Sequence, residues 1–392
     1  MSVMSAPVAE SGAAAEGRGQ FHGTRHEYFR ILARDTLALV VTLGMYRFWV
    51  ATNMRRYLWS RTDLAGEQLD YTGDPIELLL GFLVLIVVLA PLVVIFAILG
   101  IASGEYGLVR IATFAPIVLL APIAVLALYQ ARRYRVNQTV FRGLRFRQTG
   151  SAWVYVLLIA FWTVVGALTL GLAYPWARAS LERYKMRHTY YGDLQASFEG
   201  SGWELFKRGF LLWLVVWGPV LASLFAPSEF DDEVGLVAMI WLVSSGLVLY
   251  PFFRAIALRW RIAGIRLGTL TLASDFPVWS FAKAYVKFYA SLALLAAVVG
   301  ALGLVALLVI AEVARSTATE VIGVILLVIS YFLIATLVSF SYQATVRLET
   351  WKLIADSLVL RGVDQLDRAK APPQNTSRRR GRIGAALNLG GF

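Results

Sequence analysis

Cysteine is absent from all 392 residues, which excludes disulfides, thiolate metal sites and thiol nucleophiles together. Histidine is scarce, with three in the chain, and only His22 and His26 have the i,i+4 spacing that holds a metal on a helix. Gly23 and Thr24 between them are poor helix residues and no third ligand stands nearby, so no metal and no cofactor is expected. The chain also lacks H-E-x-x-H, G-x-S-x-G, a P-loop and a G-x-G-x-x-G fingerprint. Asp70 with Asp74, and Asp193 with Glu199, are the carboxylate pairs on offer for acid–base work, and charged turn residues explain them more simply. No catalytic constellation is expected. Residues 1–20 lack both an apolar core and a basic start, so they read as a disordered tail and not as a signal peptide.

What fills the chain is apolar. At 58% hydrophobic residues and a mean hydropathy of +0.64, its surface exceeds what a water-facing fold buries. Crossing a bilayer takes about 20 residues, and six uncharged stretches qualify: Glu77 to Glu105, Arg110 to Arg132, Arg208 to Glu229, Glu233 to Arg254, Lys287 to Glu312, and Glu320 to Arg347. Paired as three hairpins, they place tips at 101–110, 227–235 and 311–320, which hold only Arg110 and Arg315 of the 37 Lys and Arg residues. The positive-inside rule then puts the other 35, and both termini, in the cytoplasm. The net charge of +12 is therefore a statement about topology, and nucleic acid is not an expected partner.

A repeat organises the first half. At an offset of 127, Thr42-Leu43-Gly44 recurs as Thr169-Leu170-Gly171, Trp49 as Trp176, Arg56-Tyr57 as Arg183-Tyr184, Gly73 as Gly200 and Glu77 as Glu204. The apolar run Thr36–Tyr46 is half a crossing in length, and its copy, 148–177, is basic at both ends. Both read as re-entrant or short membrane segments, bending at Gly44 and Gly171, with Pro175 ending the second. An ordinary protein of eight spans is the alternative. The aromatic, basic stretches that follow suit the headgroup level, which makes Trp49, Arg55, Arg56, Tyr57, Trp176, Arg183 and Tyr184 the candidate contacts to lipid or to a partner.

Period-two patterns at 64–73, 192–200, 141–146 and 264–267 predict short cytoplasmic strands that pair into a small sheet. A weaker third copy is suggested by Tyr129-Gln130-Ala131 against Tyr342-Gln343-Ala344. After Arg347 an amphipathic helix is expected to about Asp367, and then a tail with the cluster Arg378, Arg379, Arg380 and Arg382. The organisation expected is a tail at 1–20, repeat units at 21–130 and 131–262, a degenerate unit at 263–361 and a basic disordered tail at 362–392.

The fold class expected is all-α and polytopic, with six spans in three hairpins, two re-entrant or short segments and short β-like pieces. Phe21-His22-Gly23, the Thr-Leu-Gly-x-Tyr-x-x-Trp run from Thr42, Arg55-Arg56-Tyr57-Leu58-Trp59, the Tyr-Thr-Gly-x-x-x-Glu-Leu run from Tyr71, Arg142-Gly143-Leu144-Arg145-Phe146, and the stretch Thr169 to Trp176 carry a resemblance. Over roughly residues 20–360 the chain resembles the YjgN-like family of bacterial inner-membrane proteins, departing mildly at Leu144 and at 263–267. The resemblance implies location and architecture and supplies no catalytic residues. Two functions remain open: a non-enzymatic protein engaging anionic lipid or partner proteins at the cytoplasmic face, with a homo-oligomer left open, and a transporter of small solutes or lipid.

Overall fold

The computed structural model describes residues 16–103, 106–223, 231–313 and 317–370. Each of the three expected outer tips contains residues outside these ranges, and so do most of both tails, including Arg378 to Arg382.

Among the described residues are ten strands and twelve α-helices, and the first ten helices alternate, in pairs, with pairs of strands. The chain opens with β1 (Glu16–Phe21), α1 (Arg25–Val41) and α2 (Arg47–Ser60). There follow β2 (Thr62–Leu64), β3 (Glu67–Tyr71), α3 (Pro75–Ser103) and α4 (Tyr106–Asn137), then β4 (Thr139–Phe141), β5 (Leu144–Gln148), α5 (Ala152–Leu168) and α6 (Tyr174–Arg187). Next come β6 (Thr189–Tyr191), β7 (Leu194–Phe198), α7 (Gly202–Ser223) and α8 (Asp231–Gly264), then β8 (Ile265–Leu267), β9 (Leu270–Ser274), α9 (Val278–Val313) and α10 (Thr317–Tyr342). A π-helical turn (Gln343–Arg347), α11 (Leu348–Asp356), β10 (Leu358–Arg361) and α12 (Asp364–Arg368) complete it.

The strands close into one antiparallel barrel in the order β1-β10-β9-β8-β7-β6-β5-β4-β3-β2. β1 seals it: its first half pairs with β10 (Gly17 opposite Leu360) and its second with β2 (Gln20 opposite Asp63). β3, β5 and β7 likewise pair by their first residues with one neighbour and by their last with the other. Such stagger is how a sheet of very short strands closes. Strand ends share one device. Phe21, Tyr71 and Phe198 each fold over the glycine two residues on, so that a Cβ on Gly23, Gly73 or Gly200 would stand 2.4–2.6 Å from the ring.

The barrel is filled. Phe141, Tyr191, Phe198, Leu267, Leu270 and Leu360 are buried in one cluster with Trp260 of α8 and Met186 of α6. Its outer mouth is stoppered by the segment around α12: Val363 and Leu366 join the cluster, Gln365 Oε1 accepts from Leu270 N at 3.2 Å, and Lys370 N donates to Asp193 at 2.9 Å.

The helices form a second ring. Each of α1 to α10 packs on the next, and α10 packs on α1, so five helical hairpins stand around the axis in the order of the strands beneath them. Leu157, Leu211, Val237, Leu294 and Leu327 are each more than 60% exposed on these helices, surface that suits lipid and not water.

Four expectations are corrected. The fold is not all-α, because the strand-like segments close a ten-stranded barrel together with β1 and β10, which no local pattern announced. Five, not six, of the described helices are long and apolar enough to cross a membrane, namely those over 75–96, 202–223, 233–264, 278–304 and 325–356. The sixth expected stretch lies in α4, whose described side chains, from Leu119 on, include Arg132, Arg133 and Arg135. The expected tail ends in strand β1, and the helix expected after Arg347 is broken by β10.

Candidate functional site

Two of the five hairpins are short, α1–α2 and α5–α6, and both turn on the repeated Thr-Leu-Gly. Leu43 and Gly44 take φ of 49° and 95°, and Leu170 and Gly171 take 48° and 81°, left-handed pairs that glycine tolerates and leucine resists. The reversed backbone lets Gly44 N reach Leu39 O at 2.9 Å and Gly171 N reach Gly166 O at 2.8 Å, which closes the end of each outgoing helix. Thr42 Oγ1 then accepts from Tyr46 N at 3.1 Å and Thr169 Oγ1 from Ala173 N at 3.2 Å, so each threonine caps the returning helix as well. Pro175 occupies the first turn of α6, where its missing N–H is harmless.

Val41 and Leu168, at these tips, are 82% and 81% exposed. The second tip is fixed against α7 by Trp213, whose Nε1 donates to Leu170 O at 3.1 Å. Trp213 stands eleven residues into the 22-residue α7. That is about 16 Å of helix, half of a hydrocarbon core of about 30 Å.

The returning helices carry the other predicted residues, and the repeat has five copies in place of the two, with a degenerate third, that were legible. Counting back from each following strand, position five reads Tyr57, Tyr134, Tyr184, Trp260 and Leu353, and position six reads Arg56, Arg133, Arg183, Arg259 and Lys352. The aromatic is a clamp. Tyr57 Oη donates to Thr24 O at 2.9 Å, Tyr134 Oη to Asp74 O at 3.1 Å, Tyr184 Oη to Ser151 O at 2.7 Å, and Trp260 Nε1 to Ser201 O at 3.0 Å. Each bond ties the end of a hairpin to its own beginning. Tyr57 and Tyr184 are thus engaged within the fold.

The arginines differ from one another. Arg56 donates to Gly73 O at 2.7 Å and Arg259 pairs with Asp275, both at the turn entering the next helix pair. Arg55 points the other way, toward Tyr71 Oη at 3.4 Å. Trp49 stacks on Tyr46 at 5.4 Å, and Trp176 packs on Phe206 at 5.2 Å and Trp203 at 6.3 Å.

Arg183 is exposed and lines a cleft of about 350 Å³ together with Leu158, Ser180, Tyr184, Arg187 and His188. His188 Nδ1 donates to Tyr184 O at 2.8 Å, its ring lying 4.4 Å from the Tyr184 ring. The cleft therefore offers two guanidinium groups, a hydroxyl and an imidazole over an apolar floor. Arg187, His188 and Ser180 were not read from the sequence, although their spacing from Arg183 on one helix was the available signal.

The opposite face of α6 is charged and buried. Glu182, whose side chain is 2% exposed, pairs with Lys185 at 2.6 Å and with Arg261 of α8 at 3.5 Å. Burial opposes ionisation of Glu182, but Lys185 and Arg261 overcome it and hold the carboxyl below its usual range. Burial pushes Lys185 down to about 8, against the pull of Glu182. Among the described residues no three acidic or histidine side chains gather as a metal site.

Residues 16–234 match the family described as bacterial protein of unknown function (DUF898). The chain belongs to that family. Relatives of the chain carry the name inner membrane protein YjgN: the protein of Escherichia coli O157:H7 is 31% identical over 127 residues, 32% of this chain and 29% of that protein. That of Escherichia coli strain K12 is 28% identical over 157 residues, 39% of this chain and 36% of that protein. The matched stretches thus span about a third of these relatives' length. No solved structure matches. The likeness to these relatives, together with the apolar helices, makes this a YjgN-like, multi-pass protein of a bacterial inner-membrane family.

Proposed function

We propose that this protein is non-enzymatic and engages anionic lipid headgroups at the cytoplasmic face of the inner membrane through the cleft on α6. The observation that carries the reading is the depth of that cleft. The α5–α6 tip lies beside the middle of α7, and ten residues separate Ala173 from Arg183. That is about 15 Å of helix, the distance from the middle of a bilayer to its headgroups. In this reading α1–α2 and α5–α6 enter the membrane from the cytoplasm and return, both termini and the barrel are cytoplasmic, and Arg183 and Arg187 meet the phosphate of an inner-leaflet lipid over Leu158. The 35 basic residues outside the tips favour the same orientation.

Native mass spectrometry of detergent-purified protein exposed to phosphatidylglycerol tests this. An Arg183→Gln, Arg187→Gln double variant should lose about 2 kcal/mol of lipid affinity, about thirtyfold, at roughly 1 kcal/mol per basic residue. Lipid retention equal to wild type would refute the reading. A cleft that instead captures an acidic protein segment would show itself as unchanged lipid retention with a protein partner lost on the same substitutions. Transport is the second reading, supported by the charged interior beneath the barrel. The filled barrel weighs against conduction along the axis.

A further inference from the structure

The charges inside the helix ring are out of balance. Glu182 is held by Lys185 of its own helix and Arg261 of α8. Arg132 of α4 lies within electrostatic range of both Glu182 and Arg261. One turn further along α4, Arg135 lies within range of Arg55 on α2 and of Arg347 in the π-helical turn. These charges come from all five returning segments, although α4 and α8 are not neighbours in the ring. The space they share is open on one side: Glu182 and Lys185 are buried, whereas Arg135 is exposed and the Arg261 side chain is 39% exposed. Against the six cations named, Glu182 is the one acid in the network.

Two further observations point to something that belongs there. Arg132 Nε is buried and has no hydrogen-bond partner, a donor that the oxygen of an anion would satisfy. Nor does relief come from the strand side, because Phe141, Tyr191, Leu267 and Leu360 fill the barrel.

We propose that the space where the returning helices meet the barrel is a binding site for a phosphate group, with Arg132 as its central ligand and Arg135, Lys185 and Arg261 around it. Guanidinium forks match the paired oxygens of phosphate better than a spherical ion, and a group with two charges offsets more of the surplus than chloride. The phosphate belongs either to a lipid headgroup entering between helices or to a free solute. This site is separate from the cleft at Arg183, which lies on the other face of α6.

Full-length protein, purified in nonionic detergent and phosphate-free buffer, is titrated with inorganic pyrophosphate by calorimetry and, separately, exposed to phosphatidylglycerol and read by native mass spectrometry. Binding in the first arm identifies a free phosphate and binding in the second a headgroup. In whichever arm binds, Arg132→Gln should weaken binding about tenfold or more, while Arg183→Gln with Arg187→Gln leaves the interior stoichiometry unchanged. Should Arg132→Gln fail to fold by circular dichroism and gel filtration, Arg135→Gln carries the same expectation. The proposal is overturned if neither probe binds, if the interior variants bind as wild type does, or if only the Arg183 and Arg187 variant loses binding. That last result would leave the cleft reading standing by itself.

Discussion

Tyr184 Oη donates to Ser151 O at 2.7 Å, and so fastens the last turn of a helical hairpin to the residue that begins it. Tyr57 does the same with Thr24, Tyr134 with Asp74 and, through an indole, Trp260 with Ser201. In the fifth unit Leu353 and Pro277 hold the two places, and no such bond is made. A hairpin whose base is tied keeps its two strands at a fixed spacing in the barrel below.

Tyr184→Phe should therefore destabilise by about 1 kcal/mol, the net value of one hydrogen bond, and Tyr57→Phe by a similar amount. The two clamps lie in separate hairpins, so the double variant should show the sum within about half a kcal/mol. Thermal unfolding in detergent reads both. Variants indistinguishable from wild type would reduce the repeated tyrosine to packing.

The Thr-Leu-Gly tips should respond unequally to a methyl group. Gly44 and Gly171 both have positive φ, so alanine at either is strained by about 1–2 kcal/mol. A Cβ at Gly44 would also stand 3.3 Å from the Phe332 ring of α10, whereas one at Gly171 meets nothing within 4 Å. Gly44→Ala should accordingly lower the unfolding temperature more than Gly171→Ala. The reverse order would mean that the first tip does not pack on α10.

The sequence carried the helices and their bends because those signals are local: uncharged runs, a Thr-Leu-Gly repeat, a proline after the turn. The barrel was hidden for the opposite reason. Its strands are three to six residues long, too short for a period-two pattern to announce more than a hairpin, and its closure joins β1 to β10 across almost the whole chain. The Arg-Tyr pairs do more than a headgroup composition announces: Tyr57 and Tyr184 each donate to an internal carbonyl, while Arg183 and the ring of Tyr184 line an open cleft. Arg132, Glu182, Lys185 and Arg261 were invisible as a group, since nothing local says that one face of α4, α6 and α8 converges.

Lys185 predicts a pH dependence. Burial sets its pKa at about 8, below the ordinary 10.5. Between those values the unfolded chain holds a proton that the folded chain has released, so this residue makes stability rise with pH from about 8 toward 10.5 and leaves it flat below that window. Lys185→Met keeps the length of the stem and removes the titration. The stability difference between wild type and Lys185→Met, measured from pH 7 to 9.5, should move in favour of wild type as pH rises. A difference independent of pH would show that the ammonium is not desolvated beside Glu182.

Single-cysteine labelling tests the half-membrane hairpins directly, since the chain has no native cysteine. Ser60, at the end of α2, and Ser197, on β7, are exposed and belong to the same closed barrel assembly. A membrane-impermeant maleimide should therefore label both from one side of the membrane, and the orientation proposed above makes that side the inner one. Leu43 and Leu170, at the two tips, should resist the same reagent from either side, because a tip in the middle of the bilayer reaches neither water phase. Labelling of Leu43→Cys or Leu170→Cys from the periplasm would mean that these hairpins cross completely. Labelling of Ser60→Cys and Ser197→Cys from opposite sides cannot be reconciled with a single barrel, and would overturn the fold as well as the topology.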